Sequence, residues 1–190
     1  QKHPVKNPYK WKQRYQILSK HIKTYSMENV TAYECSLNVL GMNFNSVQQA
    51  YQYSKAIRRG QPDLATSIAE APTPAIAKSK AKFLKFDPEW VKSEKRAVMA
   101  DLLEAKADQV DEFKESLLSS NRSSIVDIDP GEYEWASGLN HEQTLHTKKK
   151  YWPGSNLLGI MLEELRVKLQ TLEDPDIANQ RRPSSQNGPH

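Results

Sequence analysis

The chain has 190 residues, enough for one domain with a real core, yet only 37% are apolar and 26% are charged, with mean hydropathy −0.76, so polar tails are expected beside a folded part. No apolar run approaches the roughly 18 residues of a membrane-spanning helix and no signal-like apolar segment is present, which argues against a helical membrane protein. A single cysteine, Cys35, excludes an intrachain disulfide and paired-cysteine zinc sites and fits a reducing, intracellular setting, cytoplasmic or nuclear.

The formal net charge of +4 is unevenly spread: from Gln1 to Met27 there are seven Lys or Arg and no Asp or Glu. Residues 1–23 interleave these cations with Tyr9, Trp11 and Tyr15. One reading is a nucleic-acid arm over residues 2–23, with cations on phosphates and rings on bases. The other is a linker or docking segment whose aromatics fold back onto the domain. A chain opening on Gln1 also reads as a piece of a longer polypeptide. The folded domain is expected over 24–172 and a disordered tail over 173–190, where Asp, Pro, Ser, Gln and Asn dominate.

Between Tyr33 and Phe44, weak alternation with a turn at Gly41 predicts a short strand or hairpin. Ser46 then opens an amphipathic helix as N-cap, with Gln49 three residues on in a capping-box arrangement, and Gly60 and Pro62 close it. Val47, Ala50, Tyr51 and Ser54 form a core stripe. Gln48, Gln52 and Lys55 form a second stripe with no acidic partner, either solvated or lining a pocket. Asp63 is expected to cap a short helix ending at Pro72. Thr73-Pro74 caps the next, which carries Lys78 and Lys82 one turn apart. Asp87-Pro88-Glu89-Trp90 starts a helix to about Ala107 with Val91, Ala97, Val98, Leu102 and Ala105 inward, and a further helix buries Val110, Phe113, Leu117 and Leu118. Ile125 to Ile128 reads as a buried strand leading into a polar loop around Trp135. His146 has no Cys or Asp partner at metal spacing, so no metal is expected. Asn156 opens a last helix with Met161, Leu162, Leu165 and Leu169 on one side.

The helix positions Val47, Tyr51, Gln52, Lys55 and Ala56 resemble the signature helix of the NADAR family, the YbiA-like N-glycosidases. Further matches in order are Ala77-Lys78 with Lys82 where Arg is common, then Trp90, Arg96 and Met99, then Trp135 and Gly138-Leu139, and finally Asn156-x-Leu158-Gly159. The departures are in the site. Gln48-Gln49 stands for the family's Glu-His, the aromatic-Ser-Asn-Phe element is missing around Glu28 to Cys35, Asp127 replaces a strand Glu, and Ala136 replaces a Gly.

The resemblance implies a compact, mainly α, multihelical domain with a few short β-strands, and a pocket for N-ribosyl compounds. Family members hydrolyse N-glycosidic bonds in phosphoribosylamino intermediates, and some remove ADP-ribose from guanine in nucleic acid. Such cleavage needs an acid for the leaving base and a group to capture C1. The implied catalytic set is Lys55 as amine, Gln48 at the lost Glu position, and Glu132 (or Glu134) as loop acid. The implied ligand contacts are Gln52, Lys78, Lys82, Trp90, Asp127, Trp135, Gly138 and Asn156, with no cofactor. The expectation is a domain that binds ADP-ribose or a related N-ribosyl nucleotide with impaired catalysis. An active N-glycosidase and a nucleic-acid or protein interaction module stand as alternatives, and no membrane partner is expected.

Overall fold

The computed structural model describes residues 15–18, 37–39, 41–85 and 88–174. Among them the fold is mainly helical, as expected: seven α-helices and four short strands. Strands β2 (Leu37–Val39) and β3 (Met42–Phe44) form an antiparallel hairpin that turns at Gly41, whose φ of 73° favours glycine. Strand β1 (Tyr15–Leu18) pairs in parallel with β4 (Ser124–Asp127), Tyr15 opposite Ser124 and Leu18 opposite Asp127. β1 lies within residues 1–23, the stretch read from the sequence as an arm or a docking segment, and pairs with the domain's β4. The rest of the basic arm, the Asp87 cap and residues 175–190 lie outside the described residues.

Helix α1 (Val47–Arg58) starts where the local signals placed it, with Ser46 Oγ accepting from the Gln49 amide at 3.1 Å. The reciprocal bond falls one residue early: Gln49 Oε1 accepts from the Asn45 amide at 2.8 Å. The other end of the same side chain explains the shift. Gln49 is 2% exposed, and its Nε2 donates towards the carbonyls of Ile68, Ala69 and Ala71 at 3.0–3.2 Å. It thereby satisfies the end of α2 (Pro62–Ala69), whose last carbonyls have no partner within the helix. Asp63 is not the cap of α2. Gln61 holds that position without a side-chain bond, and Pro62 and Asp63 both lie in the first turn.

Helix α3 (Pro74–Lys80) is capped by Thr73 Oγ1, which accepts from the Ile76 amide at 3.2 Å. Helices α1, α2 and α3 meet through Ala56, Ala65, Ile68, Ala71, Ala77 and Ala81, all buried, and these mostly small residues allow close approach. A π turn over Trp90–Glu94 precedes α4 (Lys95–Gln109). Its wider winding shifts the phase of everything downstream. Val98 and Leu102 are buried as expected, with Met99 and Leu103 beside them and Ala105 partly buried, whereas Ala97, also expected inward, is exposed.

Helix α5 (Asp111–Ser119) buries Phe113 and Leu117 as predicted. After β4 come a long loop, a short helix α6 (His141–His146) with a full Asn140/Gln143 capping box, and α7 (Leu157–Glu173). The main core joins the hairpin, the inner faces of α1 and α4, Phe113 and Leu117 of α5, and Leu158, Leu162 and Leu165 of α7. Among the described residues no helix is long and apolar enough to cross a membrane.

Candidate active site

The site is assembled on the outer stripe of α1 and closed by the loop that follows β4. Tyr51 is its centre. The Trp135 ring meets Tyr51 edge-on at 5.7 Å between centroids, and Trp90 lies on another side at 6.2 Å. Lys55, one turn along α1, holds its ammonium 5.7 Å from the Tyr51 ring centroid. Burial, followed by the charges of Glu134 and Glu132, pushes the Tyr51 hydroxyl far above the usual tyrosine range. Burial and then the neighbouring charge of Lys78 hold Lys55 below the ordinary lysine value, with Glu134 pulling the other way. The two glutamates thus act on Tyr51, while Lys78 and Glu134 act in opposite senses on Lys55.

The loop is held by its own carboxylates. Glu132 Oε1 accepts from the Glu134 and Trp135 amides at 3.1 and 3.3 Å, while its Oε2 lies 3.8 Å from Lys78 Nζ. Glu134 is ion-paired with Lys95, the first residue of α4. The result is three lysines against two glutamates beside two large rings, a setting suited to an anionic ligand with a flat or sugar-like body.

The remaining predicted residues fall into three groups. Gln52 is 4% exposed, and its Oε1 has no hydrogen-bond partner among the described residues, so α1 keeps a buried acceptor on the site stripe. Gln48 is half-buried on the same stripe and its side chain makes no hydrogen bond among them. Trp90 is buried in the main core, with the Arg58 guanidinium 5.7 Å from its ring centroid and Arg58 paired to Glu94 at 2.7 Å.

Asn156 and Asp127 support the site from behind. The Asn156 amide bridges the backbone of β4, Nδ2 donating to the Ile125 carbonyl at 2.8 Å and Oδ1 accepting from the Asp127 amide at 3.0 Å. The Asp127 carbonyl accepts from Ser137 at 2.9 Å, tying the loop to the strand. Gly138 has a φ of 76°, with the Tyr133 ring and Pro153 pressed against it, so its glycine serves the loop's turn.

Lys82 does not form the expected helical pair with Lys78. Helix α3 stops at Lys80, and Lys82 lies in the turn beyond, exposed and 5.6 Å from the Phe83 ring centroid. The Gly-to-Ala departure at Ala136 strains no backbone. Its φ is not positive, and its methyl is fully buried.

The core reading of Tyr51 holds, since it is buried in the main cluster, but the sequence offers Glu134 only as a substitute for Glu132 and does not single out Lys95. It singles out the adjacent Arg96 instead, which pairs with Glu164 of α7 at 2.6 Å on the outside. The missing signal for Lys95 was its partner, 39 residues away.

Residues 9–170 match the NADAR domain. The chain belongs to that family. Its fold is similar to the solution structure of the Escherichia coli protein YbiA, with a TM-score of 0.66, covering 90% of this chain and 91% of that one at 19% identity. It is 26% identical over 137 residues to protein irg-1 of Caenorhabditis elegans, covering 70% of this chain and 64% of that protein. It is also 32% identical over 65 residues to an N-glycosidase of Acanthamoeba polyphaga mimivirus, covering 34% of this chain and 38% of the viral protein. The matches therefore span less than two thirds of either curated relative.

Proposed function

We propose that this NADAR domain binds ADP-ribose or a related N-ribosyl nucleotide and that its hydrolytic step is impaired. The observation that carries the reading is the pairing of an assembled site with an amide at its acid position. Lys55 and Trp135 lie against Tyr51, Glu132 and Glu134 act on its hydroxyl and Lys78 pairs with Glu132, while Gln48 stands on the outer stripe of the same helix where the family has Glu. The lysines suit phosphate, the Tyr51–Trp135 pair suits a stacked or edge-packed ring, and the unpartnered Gln52 Oε1 suits a hydroxyl or amine donor. Gln48 hydrogen-bonds but cannot donate a proton to a departing base or carry charge. Loss of one general acid typically slows the step about 10²–10⁴-fold. The name of the mimivirus relative, an N-glycosidase, supports the reaction class.

A second reading, an active N-glycosidase, is favoured by one observation: Lys55 is held below the usual lysine value, so more of it is the free amine at neutral pH. In that case the amine attacks C1, the N-glycosidic electron pair leaves with the base, and Glu132 or Glu134 manages the proton.

The test is calorimetry with ADP-ribose beside a hydrolysis assay on ADP-ribosylated guanosine, for this chain and for Gln48→Glu. Binding without turnover, with turnover appearing in Gln48→Glu, supports the impaired-binder reading. Turnover by the unaltered chain moves the assignment to the second reading. Absence of binding by both overturns the pocket itself.

A further inference from the structure

The loop after β4 brings two carboxylates to the site, and their bonding differs. Both oxygens of Glu132 are engaged by the protein. Oε1 accepts from the Glu134 and Trp135 amides at 3.1 and 3.3 Å, which fills the two in-plane lone pairs of that atom. Oε2 faces Lys78 Nζ at 3.8 Å. Glu134 is engaged on one side only. Its Oε1 meets Lys95, and its Oε2 has no hydrogen-bond partner among the described residues. The Glu134 side chain is 45% exposed, against 26% for Glu132.

The backbone that carries Glu134 and Trp135 is held from both sides. Glu132 takes their amides, and their carbonyls accept from the Leu157 and Leu158 amides at 3.0 and 3.1 Å. Those two residues open α7, so helix amides that would otherwise lack a partner are occupied by the loop. Asn156 and Gly154 donate in the same way to the Ala136 and Ser137 carbonyls at 3.0 and 2.9 Å. A methyl at Gly154 would lie 2.2 Å from the Ala136 carbonyl oxygen, so the two backbones are in direct contact. The side chains of Glu134 and Trp135 therefore leave a fixed frame. Of the two carboxylates, Glu134 acts on both Tyr51 and Lys55, whereas Glu132 acts on Tyr51 and more weakly.

We propose that the two carboxylates have different roles: Glu134, steadied by Lys95, is the acid presented to the ligand beside Lys55, and Glu132 is a positioning residue that shapes the loop by holding the Glu134 and Trp135 amides. The assignment rests on the N-ribosyl reading of the site. It puts Glu134 ahead of Glu132, the acid that the family resemblance implies. Glu134 Oε2 is open to a ligand hydroxyl, an amine or a water, whereas Glu132 Oε1 turns to one only by releasing the loop. Preorganisation of this kind fixes the acid before the ligand arrives.

Three substitutions separate the roles, each made in the 190-residue chain and in Gln48→Glu. Glu132→Gln keeps an oxygen for the two loop amides and removes only the charge, whereas Glu132→Ala removes the oxygen as well. Glu134→Gln removes the charge of the other carboxylate. Hydrogen exchange of peptides covering 132–138 and 154–158 is expected to quicken about tenfold or more in Glu132→Ala and to stay within about threefold of the parent in the two Gln variants. Amine labelling of Lys55 against pH is expected to shift in Glu134→Gln and to stay in place in Glu132→Gln. Turnover of ADP-ribosylated guanosine, in whichever background shows it, is expected to fall about 10²–10⁴-fold in Glu134→Gln and less than about threefold in Glu132→Gln. Equal exchange in Glu132→Ala and the parent overturns the proposal. So does a Lys55 shift as large in Glu132→Gln as in Glu134→Gln, or turnover lost in Glu132→Gln and kept in Glu134→Gln. Absence of ADP-ribose binding and turnover in both backgrounds defeats the N-ribosyl reading instead, and exchange and labelling then still decide which carboxylate builds the loop and which faces Lys55.

Discussion

The side-chain amide of Asn156 donates to the Ile125 carbonyl at 2.8 Å from a residue whose own backbone is left-handed, with a φ of 51°. Asn tolerates that conformation better than most residues, so position 156 is chosen twice, by backbone and by side chain. One turn on, a methyl at Gly159 would come within 2.2 Å of the same carbonyl.

Asn156→Ala should therefore destabilise the domain by about 2–4 kcal/mol, through two lost hydrogen bonds and a strained φ. Gly159→Ala should cost about 1–3 kcal/mol by forcing α7 off β4. Urea unfolding measures both, and midpoints equal to that of the parent chain would show that the helix–strand contact is dispensable.

Gln49 fastens α1 to the end of α2. Gln49→Ala should cost about 2–3 kcal/mol, since it takes from the Asn45 amide and from the Ala69 and Ala71 carbonyls the partner that Gln49 supplies. Gln49→Glu should be worse at neutral pH than at pH 4, because an ionised carboxylate there would face carbonyl oxygens. Thermal melts across pH distinguish this from a simple loss of packing, for which the cost would be flat.

The titration of Lys55 should move in opposite directions when its two neighbours are altered. Removing a like charge with Lys78→Gln raises its pKa; removing an opposite charge with Glu134→Gln lowers it further. Because the folded value lies below the ordinary 10.5, the charged form carries a penalty in the folded state. That penalty is fully present at low pH and is relieved as pH rises through the folded value towards 10.5. Rates of amine labelling at Lys55 against pH, read by mass spectrometry, measure the shift. Movement of both variants in one direction would contradict the charge arrangement.

Gln48→Glu should raise hydrolysis of ADP-ribosylated guanosine by about 10²–10⁴-fold with little change in ADP-ribose affinity. A comparable gain from a substitution at Gln52 instead would move the acid position one turn along α1.

What the sequence made legible was local. Ser46, Thr73, the turn at Gly41 and the inward faces of α5 and α7 follow from capping and periodicity within a few residues. What it hid was set by distant partners. Nothing near Lys80 marks the end of α3, so Lys82 was placed on a helix that does not reach it. The pairing of β1 with β4 joins residues more than a hundred positions apart, and the basic composition around β1 masked it. The stripe of Gln48, Gln52 and Lys55 was legible as a surface without an acidic partner on its own helix. The acids that approach it come from the loop after β4, which no helical spacing could indicate.

A π turn is an α-helix with one residue spliced in, and the one at Trp90–Glu94 sits between the site and the hydrophobic side of α4. Deleting a single residue there would restore ordinary winding and, about 100° being the turn per residue, rotate Trp90 away from Tyr51 and Arg58 while leaving α4 seated. Chain length at this point is thus a tuning parameter shared by the site and the core, since the ring it would turn, Trp90, is buried in the main cluster.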